Sequence, residues 1–263
     1  GRCHPNPNKE AEVATENETG NILKNKNVAM AEAMLPIQKE AFRIANEQKE
    51  TTRPLSKTGA HIQYQLEDGT IVPGVTTVLN ILDKPGLPYW AWNLGMQGLD
   101  YREVRDAAGR VGTLAHHLIA CHLNCQEPSA SEFSPTEVDK AGICFRKYLT
   151  WEKENPLTPV MIETPLVSEE FRFGGTPDLL AEIDGEFVLI DWKSGNGIYD
   201  SYFYQLAGYR KLLEEQGWLV AKAWIVRLSP DDSEVEVAMA LDHDRDWAIF
   251  THLLAVYQLE ELL

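Results

Sequence analysis

The sequence predicts an α/β fold in which helices flank a mixed central β-sheet, with a helical N-terminal region ahead of it. The first observation is a change of period, because a helical pattern gives way to three extended segments, Val160–Val167, Gly175–Ile183 and Glu186–Asp191. The second is the order of the segments that follow: a helix at Asp200–Gln216, strands at Ala221–Leu228 and Glu234–Ala240, and a helix from about Asp242 to Leu262. Strands interleaved with helices in this order are typical of a layered α/β domain.

Local signals mark where the helices begin and end. Two helices are expected before the sheet, Asp106–Leu123 and Pro135–Glu154. Ser134 or Thr136 is the expected N-cap of the second one. For the helix at Asp200–Gln216, Asp200 is the expected N-cap and Gly217 the expected glycine just after its end.

A hairpin and a short helix are expected further upstream. Glu67-Asp68-Gly69 is a turn signal between two extended stretches, His61–Leu66 and Thr70–Val72. The segment that begins at Pro73 then predicts a short helix through Leu82.

Composition limits the class of protein. The chain has 263 residues, 44% hydrophobic and 24% charged, which is typical of a soluble globular protein. It has no apolar run near the roughly 18–20 residues that cross a bilayer and no signal-peptide pattern at its start, so we expect no membrane partner and a cytoplasmic location in a bacterium or a phage-infected host. Its four cysteines match no zinc spacing and are expected to be ordinary thiols.

The charge distribution suggests two regions. Residues 1–57 hold nine Lys and Arg against eight Asp and Glu, so the net charge of −16 comes from residues 58–263. We expect an N-terminal extension over residues 1–57, partly disordered or helical around Val28–Gln48, and one domain over residues 58–263. An acidic chain binds nucleic acid poorly in general, but a local basic cleft or a bound cation can supply the positive charge.

A second hairpin brings charged residues together. Asp184-Gly185 is a strong signal for a two-residue turn, and pairing outward from Ile183 and Glu186 places Asp178 opposite Asp191. Lys193 lies two residues beyond Asp191 and therefore points to the same face of the sheet. Trp192 points to the opposite face, where it can join the core.

Two facing carboxylates repel each other, which a purely structural sheet does not need. A divalent cation removes the repulsion, and oxygen ligands suit Mg²⁺ or Mn²⁺. Such a cation would polarise a phosphodiester, while Lys193 would orient or help to deprotonate the attacking water or stabilise the transition state. The alternative is an exposed polar stripe with a surface salt bridge, which the apolar strand before Asp191 disfavours.

These residues resemble the motifs of the PD-(D/E)XK nuclease superfamily, and of its branch of RecB-like, phage and mitochondrial genome maintenance exonucleases. Thr176-Pro177-Asp178 is similar to the PD element, and Asp191-Trp192-Lys193 is similar to the (D/E)XK element. The segment from Gln205 to Tyr209 resembles the QxxxY motif, and the segment from Gly112 to His116 resembles an upstream GxxxH element. Four ordered elements are more specific than DxK alone, and the implied fold is a restriction-endonuclease-like core.

The resemblance also implies roles. Asp178, Asp191, the Trp192 carbonyl and His116 would bind Mg²⁺ or Mn²⁺, and Lys193 would act on the attacking water. Gln205 and Tyr209 would reach the same site from one helix face. His117 lies about 100° further round its helix than His116, so only one of the two can face the metal.

Glu163 precedes the hairpin on the neighbouring strand, where a surface position is the favoured interpretation and a position at the edge of the site the alternative. The aromatic residues near the motifs are expected to pack mainly in the core, with stacking on unpaired bases as the alternative.

The predicted function is that of a metal-dependent deoxyribonuclease, an exonuclease that acts on DNA ends or single strands. An endonuclease of restriction or structure-specific type is one alternative. A non-catalytic nucleic-acid-binding accessory module of recombination is another, disfavoured because Asp178, Asp191 and Lys193 are all present. A homo-oligomer and a recombination protein are left open as partners.

Overall fold

A computed structural model of the chain describes residues 62–260. The predicted extension over residues 1–57, its helix at Val28–Gln48 and the first residue of the upstream hairpin, His61, lie outside the described residues. The bounds proposed for the domain, residues 58–263, therefore remain a prediction. Within the described part of the chain, no helix is both long and apolar enough to cross a membrane.

The described residues form nine strands and six helices in the predicted α/β order. In chain order they are β1 (Tyr64–Gln65), β2 (Ile71–Val72), α1 (Val75–Leu79), α2 (Gly86–Met96), α3 (Tyr101–Leu123), α4 (Pro135–Glu154), β3 (Thr158–Ile162), β4 (Leu166–Ser168), β5 (Phe173–Gly175), β6 (Leu179–Ile183), β7 (Glu186–Lys193), α5 (Asp200–Glu215), β8 (Val220–Arg227), β9 (Glu236–Met239) and α6 (His243–Glu260).

A five-stranded mixed sheet lies at the centre, in the order β3-β6-β7-β8-β9. All neighbours are antiparallel except β7 and β8, which are parallel and are joined through α5. The β6–β7 hairpin has the predicted register, since Ile183 pairs with Glu186 and the ladder continues to Leu179 opposite Ile190. Asp184 and Gly185 both have positive φ, 51° and 79°, as a two-residue turn of this kind requires.

Two hydrophobic layers cover the sheet, because successive strand residues point to opposite faces. Leu180 and Leu189 pack in a cluster that includes α1, α5 and α6. Leu179 and Ile190 pack in the other cluster, against α3 and α4. The two clusters make a helix–sheet–helix sandwich, which holds the ends of β6 and β7 rigidly.

Several predicted boundaries were wrong. The expected strand Val160–Val167 is two strands in different sheets, because the chain turns at Glu163, whose φ is 42°. The expected strand Gly175–Ile183 is also divided, since Gly175 ends β5 and β6 begins at Leu179.

The helix boundaries agree more closely. Helix α4 has the predicted bounds, and Ser134 is its N-cap in a capping box with Glu137. Tyr199, rather than Asp200, is the N-cap of α5, whereas Gly217 has the positive φ expected after the helix end. Two other helices differ in length, since α3 begins earlier, at Tyr101, and α1 ends at Leu79 instead of Leu82.

The upstream hairpin packs on the glycines that precede Asp178. Tyr64 lies against Gly174, where an added Cβ would stand 2.2 Å from the ring, and its hydroxyl shares a 3.0 Å hydrogen bond with Thr176 Oγ1. The N–H of Gly174 donates to the Pro73 carbonyl at 2.9 Å. These contacts fix the path of the chain into Asp178.

Candidate active site

The charged residues of the hairpin meet at one end of the central sheet. Asp178 immediately precedes β6, and Asp191 lies two residues before the end of β7. The N–H of Trp192 donates to Asp178 Oδ2 at 2.8 Å, which ties the two strand ends together. Asp178 therefore lies across from Asp191, one position beyond the last paired residues, as the turn signal predicted.

Lys193 lies on the same face of the sheet as Asp191. Its Nζ is 2.6 Å from Asp191 Oδ2, and it donates a 2.9 Å hydrogen bond to Gln205 Oε1. Trp192 points the other way and is buried, with edge contacts to Tyr148 and Trp151. The alternation predicted for these three residues is confirmed.

Helix α3 brings His116 to the same place. His116 Nδ1 lies 3.3 Å from Asp178 Oδ1. Burial alone would lower the pKa of His116, but the Asp178 carboxylate outweighs it and raises the pKa from 6.5 to about 9. His116 is therefore a cation near neutral pH in this arrangement, and it would have to release its proton to bind a metal.

The two carboxylates differ in their ionisation. Burial is the main cause that raises the pKa of Asp191 to about 6, against the opposing charge of Lys193 and with a further contribution from Asp178. Burial also acts on Asp178, but His116 and Lys193 hold its pKa below the ordinary value. The Asp191 side chain is only 2% exposed, so the site is a semi-enclosed acidic pair and not a solvated polar stripe.

Lys193 keeps its charge in this setting. Burial would lower its pKa, but the carboxylates of Asp191 and Asp178 raise the pKa above the ordinary value for lysine. The ammonium can therefore donate hydrogen bonds and offset negative charge.

Helix α5 supplies the remaining predicted residues. Gln205 and Tyr209 are one turn apart and both buried, and Gln205 Nε2 donates to Tyr209 Oη at 3.0 Å. Because Gln205 also accepts from Lys193, a continuous chain of hydrogen bonds runs from Lys193 into the core. The predicted face of α5 thus reaches the site through Lys193.

Two glycines allow close approach around the site. An added Cβ at Gly175 would stand 2.7 Å from the Tyr209 ring, and one at Gly112 would stand 2.7 Å from Ser194 Oγ. Gly112 lies one turn before His116, so it lets α3 come against the loop that follows Lys193. A glycine four residues before His116 is therefore explained by the close approach of α3 to Ser194.

Glu163 lies directly beyond the β3–β6 ladder, opposite Asp178. Its N–H donates to the Asp178 carbonyl at 3.0 Å, and its side chain is exposed. Its carboxylate is also one of the charges that raise the pKa of His116. Both interpretations of Glu163 were partly correct, because it is a surface residue at the edge of the site.

Tyr202 is a neighbour of the site that the motifs did not identify. Its ring centroid lies 4.5 Å from Lys193 Nζ. In the sequence it was one of the aromatic residues near the motifs, three residues before Gln205, without a role toward Lys193.

The second histidine of α3 faces elsewhere. His117 Nε2 lies 3.5 Å from Cys121 Sγ and accepts a 3.3 Å hydrogen bond from the Ser129 N–H. His116, and not His117, is therefore the histidine that lies beside Asp178. Cys121, Cys125 and Cys144 are free thiols.

The aromatic residues divide between core and surface. Tyr202, Phe203 and Tyr204 are half-buried against the core. Tyr89 and Trp92 of α2 are 68% and 59% exposed and stack on each other, with ring centroids 6.0 Å apart. The expectation of core packing therefore fails for α2, which has no buried residue.

The donors near Asp178 suit a hard divalent cation in kind. Asp191 Oδ2 is fully buried beside Lys193 Nζ, 2.6 Å away, so a bound cation would share this carboxylate with the ammonium. In residues 62–260, however, no three His, Cys, Asp or Glu side chains already converge as a ligand set. Binding by His116 together with both aspartates would require His116 to release the proton that it holds beside Asp178.

The fold and the site define a class of protein: an α/β domain with two carboxylates and a lysine at the end of a β-hairpin. The family model of the PD-(D/E)XK nuclease superfamily matches residues 96–263, more than half of the chain. The chain belongs to the PD-(D/E)XK nuclease superfamily. Membership indicates nuclease activity on DNA, and divalent metals such as Mg²⁺ are typical of the superfamily.

Other comparisons add little. A solved structure described as "Crystal structure of SSO0001" aligns over 54% of this chain and 71% of its own, with 14% identity and a TM-score of 0.30. A likeness this low supports no conclusion about fold or function. No curated protein sequence matches at a significant level.

Proposed function

We propose that the chain is a Mg²⁺- or Mn²⁺-dependent deoxyribonuclease, and that it acts as an exonuclease on DNA ends or single strands. The observation that carries the nuclease proposal is the convergence of Asp178, Asp191 and Lys193 at the end of one hairpin, with Lys193 Nζ 2.6 Å from Asp191. A sheet that needed only stability would gain little from two facing carboxylates.

Asp178 and Asp191 would hold the cation, with the Trp192 carbonyl and a neutral His116 as further ligands. A bound Mg²⁺ or Mn²⁺ would polarise the phosphodiester and lower the pKa of a water molecule. The burial of Asp191 favours this use, because a buried carboxylate of raised pKa gains most from a nearby positive charge.

Lys193 would stabilise the reaction as a cation. Its raised pKa keeps the ammonium protonated at neutral pH, so it can orient the attacking water and offset the charge that develops on the phosphorus oxygens.

Gln205 and Tyr209 would position Lys193. The hydrogen bonds from Lys193 to Gln205 and from Gln205 to Tyr209 limit the directions in which the ammonium can point. Because Tyr209 is buried, the far end of this chain is fixed in the core.

Helix α2 supports a preference for unpaired DNA. Residues 86–99 contain no charged residue, although the whole chain has a net charge of −16. Exposed aromatic rings stack on bases of any sequence, and Tyr89 and Trp92 offer two such rings. Helix α3 begins two residues after this stretch and carries His116, so a bound strand could run from these rings towards the site.

Cleavage of labelled DNA tests the proposal. Linear single-stranded and double-stranded DNA, labelled at the 5′ or the 3′ end, would be incubated with and without Mg²⁺. We expect Mg²⁺-dependent release of short products from linear DNA and little effect on closed circles. Rapid degradation of circular DNA would replace the exonuclease proposal by the endonuclease alternative. Binding of DNA without any cleavage, in Mg²⁺ or Mn²⁺, would favour the accessory module.

A further inference from the structure

Three groups surround the Lys193 ammonium. Asp191 Oδ2 lies 2.6 Å from Nζ, Gln205 Oε1 accepts a hydrogen bond at 2.9 Å, and the ring centroid of Tyr202 lies 4.5 Å away. The first two come from motifs that the sequence already marked. The third has no place in those motifs, and it presents a π face to the cation.

Lysine needs such restraint more than most residues. Its four-carbon stem has many rotamers, and fixing it costs conformational entropy. An ammonium at 4.5 Å from an aromatic centroid is within the range of a cation–π contact, which strengthens when water is excluded. The Lys193 side chain is only 17% exposed, so the contact is largely shielded from solvent.

Tyr202 is well placed on α5 for this task. Tyr202, Gln205 and Tyr209 follow at intervals of three and four residues, so they lie along one face of the helix. The Tyr202 ring is half-buried and packs against the core, and it makes an edge contact with Tyr199 at 5.5 Å. The same rigid helix therefore presents both the ring and the amide to Lys193.

Under the proposed function, Asp191 also binds the cation. Its carboxylate is then shared, and the restraint on Lys193 depends more on Gln205 and Tyr202. Of these two, Gln205 limits the direction of one N–H bond, whereas the ring limits the position of the whole ammonium.

We propose that Tyr202 is a positioning residue for Lys193, and that its aromatic face, not its hydroxyl, holds the ammonium at the site. The proposal rests on the nuclease function proposed above. It predicts that the ring matters for turnover and that the hydroxyl does not.

The test compares Tyr202→Phe, which keeps the ring, with Tyr202→Leu, which removes it. With Mg²⁺ and linear DNA, we expect Tyr202→Phe to stay within about twofold of the wild-type kcat and Tyr202→Leu to lose roughly tenfold, with little change in KM. Tyr199→Leu is the matched control, because Tyr199 is exposed and contacts the Tyr202 ring without being one of the three groups around Lys193, and it should keep its kcat. Wild-type kcat in Tyr202→Leu, or an equal loss in Tyr202→Phe, would overturn the proposal.

A second measurement does not depend on activity. A double-mutant cycle in the melting temperature uses Tyr202→Leu, Lys193→Met and the pair. We expect Tyr202→Leu to cost less when Lys193→Met is already present, and additive effects would overturn the contact. If the wild-type protein cleaves no DNA, the nuclease function fails while this cycle still decides whether the ring holds the ammonium. Tyr202→Met serves in both measurements if Tyr202→Leu does not fold.

Discussion

The N–H of Trp192 donates a hydrogen bond to the Asp178 carboxylate, with 2.8 Å between N and Oδ2. This contact joins the residue before β6 to the end of β7 and leaves the other Asp178 oxygen 3.3 Å from His116. The backbone thus aims the carboxylate before any ligand arrives. An asparagine can accept the same hydrogen bond, so charge and position can be separated by mutation.

Asp178→Asn should retain the fold but bind Mn²⁺ roughly tenfold or more weakly, because hard cations depend on carboxylate charge. Calorimetric titration with Mn²⁺ measures the affinity directly. Asp184→Asn is the control, since Asp184 is exposed in the turn at the other end of the same hairpin. Unchanged affinity in Asp178→Asn would rule out Asp178 as a ligand.

Gly175→Ala should destabilise the protein by roughly 1–3 kcal/mol, the usual cost of overpacking a core. The new Cβ would stand 2.7 Å from the Tyr209 ring and 2.9 Å from Leu212 Cδ1, both of them buried, so the chain that holds Lys193 must shift. Activity should fall with stability.

Gly109→Ala is the matched control for that change. Gly109 lies in α3 with open space where its Cβ would be, so alanine should stabilise the helix by roughly 0.5–1 kcal/mol. Denaturant unfolding of both variants gives the comparison. A Gly175→Ala protein as stable as the wild type would show that Tyr209 is not held by this glycine.

Glu163→Gly should be more stable than Glu163→Ala by roughly 1 kcal/mol, because Glu163 has a φ of 42° and only glycine adopts this region without strain. Both variants lack the carboxylate, so the difference reports the backbone alone. At Glu182, on the regular strand β6, the order should reverse. If alanine is the better residue at position 163 as well, the turn beside Asp178 stores no strain.

Glu137 should make stability depend on acid pH. Its hydrogen bond from Arg110, together with the Ser134 N–H, lowers the pKa of Glu137 from 4.5 to about 2. The stabilisation is therefore present above about pH 4.5 and is lost as the pH falls towards 2.

Melting temperatures of the wild type and Glu137→Gln measure this effect. The gap between them should be wide at pH 7 and should close below pH 4.5. If the difference in melting temperature between the wild type and Glu137→Gln did not change with pH, the loss of stability in the variant would come from packing and not from the charge of Glu137.

The sequence predicted what depends on local rules. The Asp184-Gly185 turn set the hairpin register, and alternation along β7 then placed Asp191 and Lys193 on one face and Trp192 on the other. The sequence predicted one strand over Val160–Val167, because the left-handed position between the two observed strands is occupied by Glu163 and not by a glycine, which would have indicated a turn.

Other features depend on how distant elements pack. The contact between Tyr202 and Lys193 follows from the way α5 lies across the sheet, which no spacing encodes. The exposure of Tyr89 and Trp92 was missed because aromatic residues normally pack in cores. A homo-oligomer or a recombination partner, and the role of residues 1–57, stay predictions.

Cleavage of end-labelled linear DNA in Mg²⁺ by the wild type and by Lys193→Ala tests the central claim most directly. The wild type should release labelled products, and Lys193→Ala should lose at least roughly a hundredfold in kcat while it remains folded by circular dichroism and keeps a Mn²⁺ affinity close to that of the wild type. Cleavage by Lys193→Ala at the wild-type rate would contradict the assignment of Asp178, Asp191 and Lys193 as the active site.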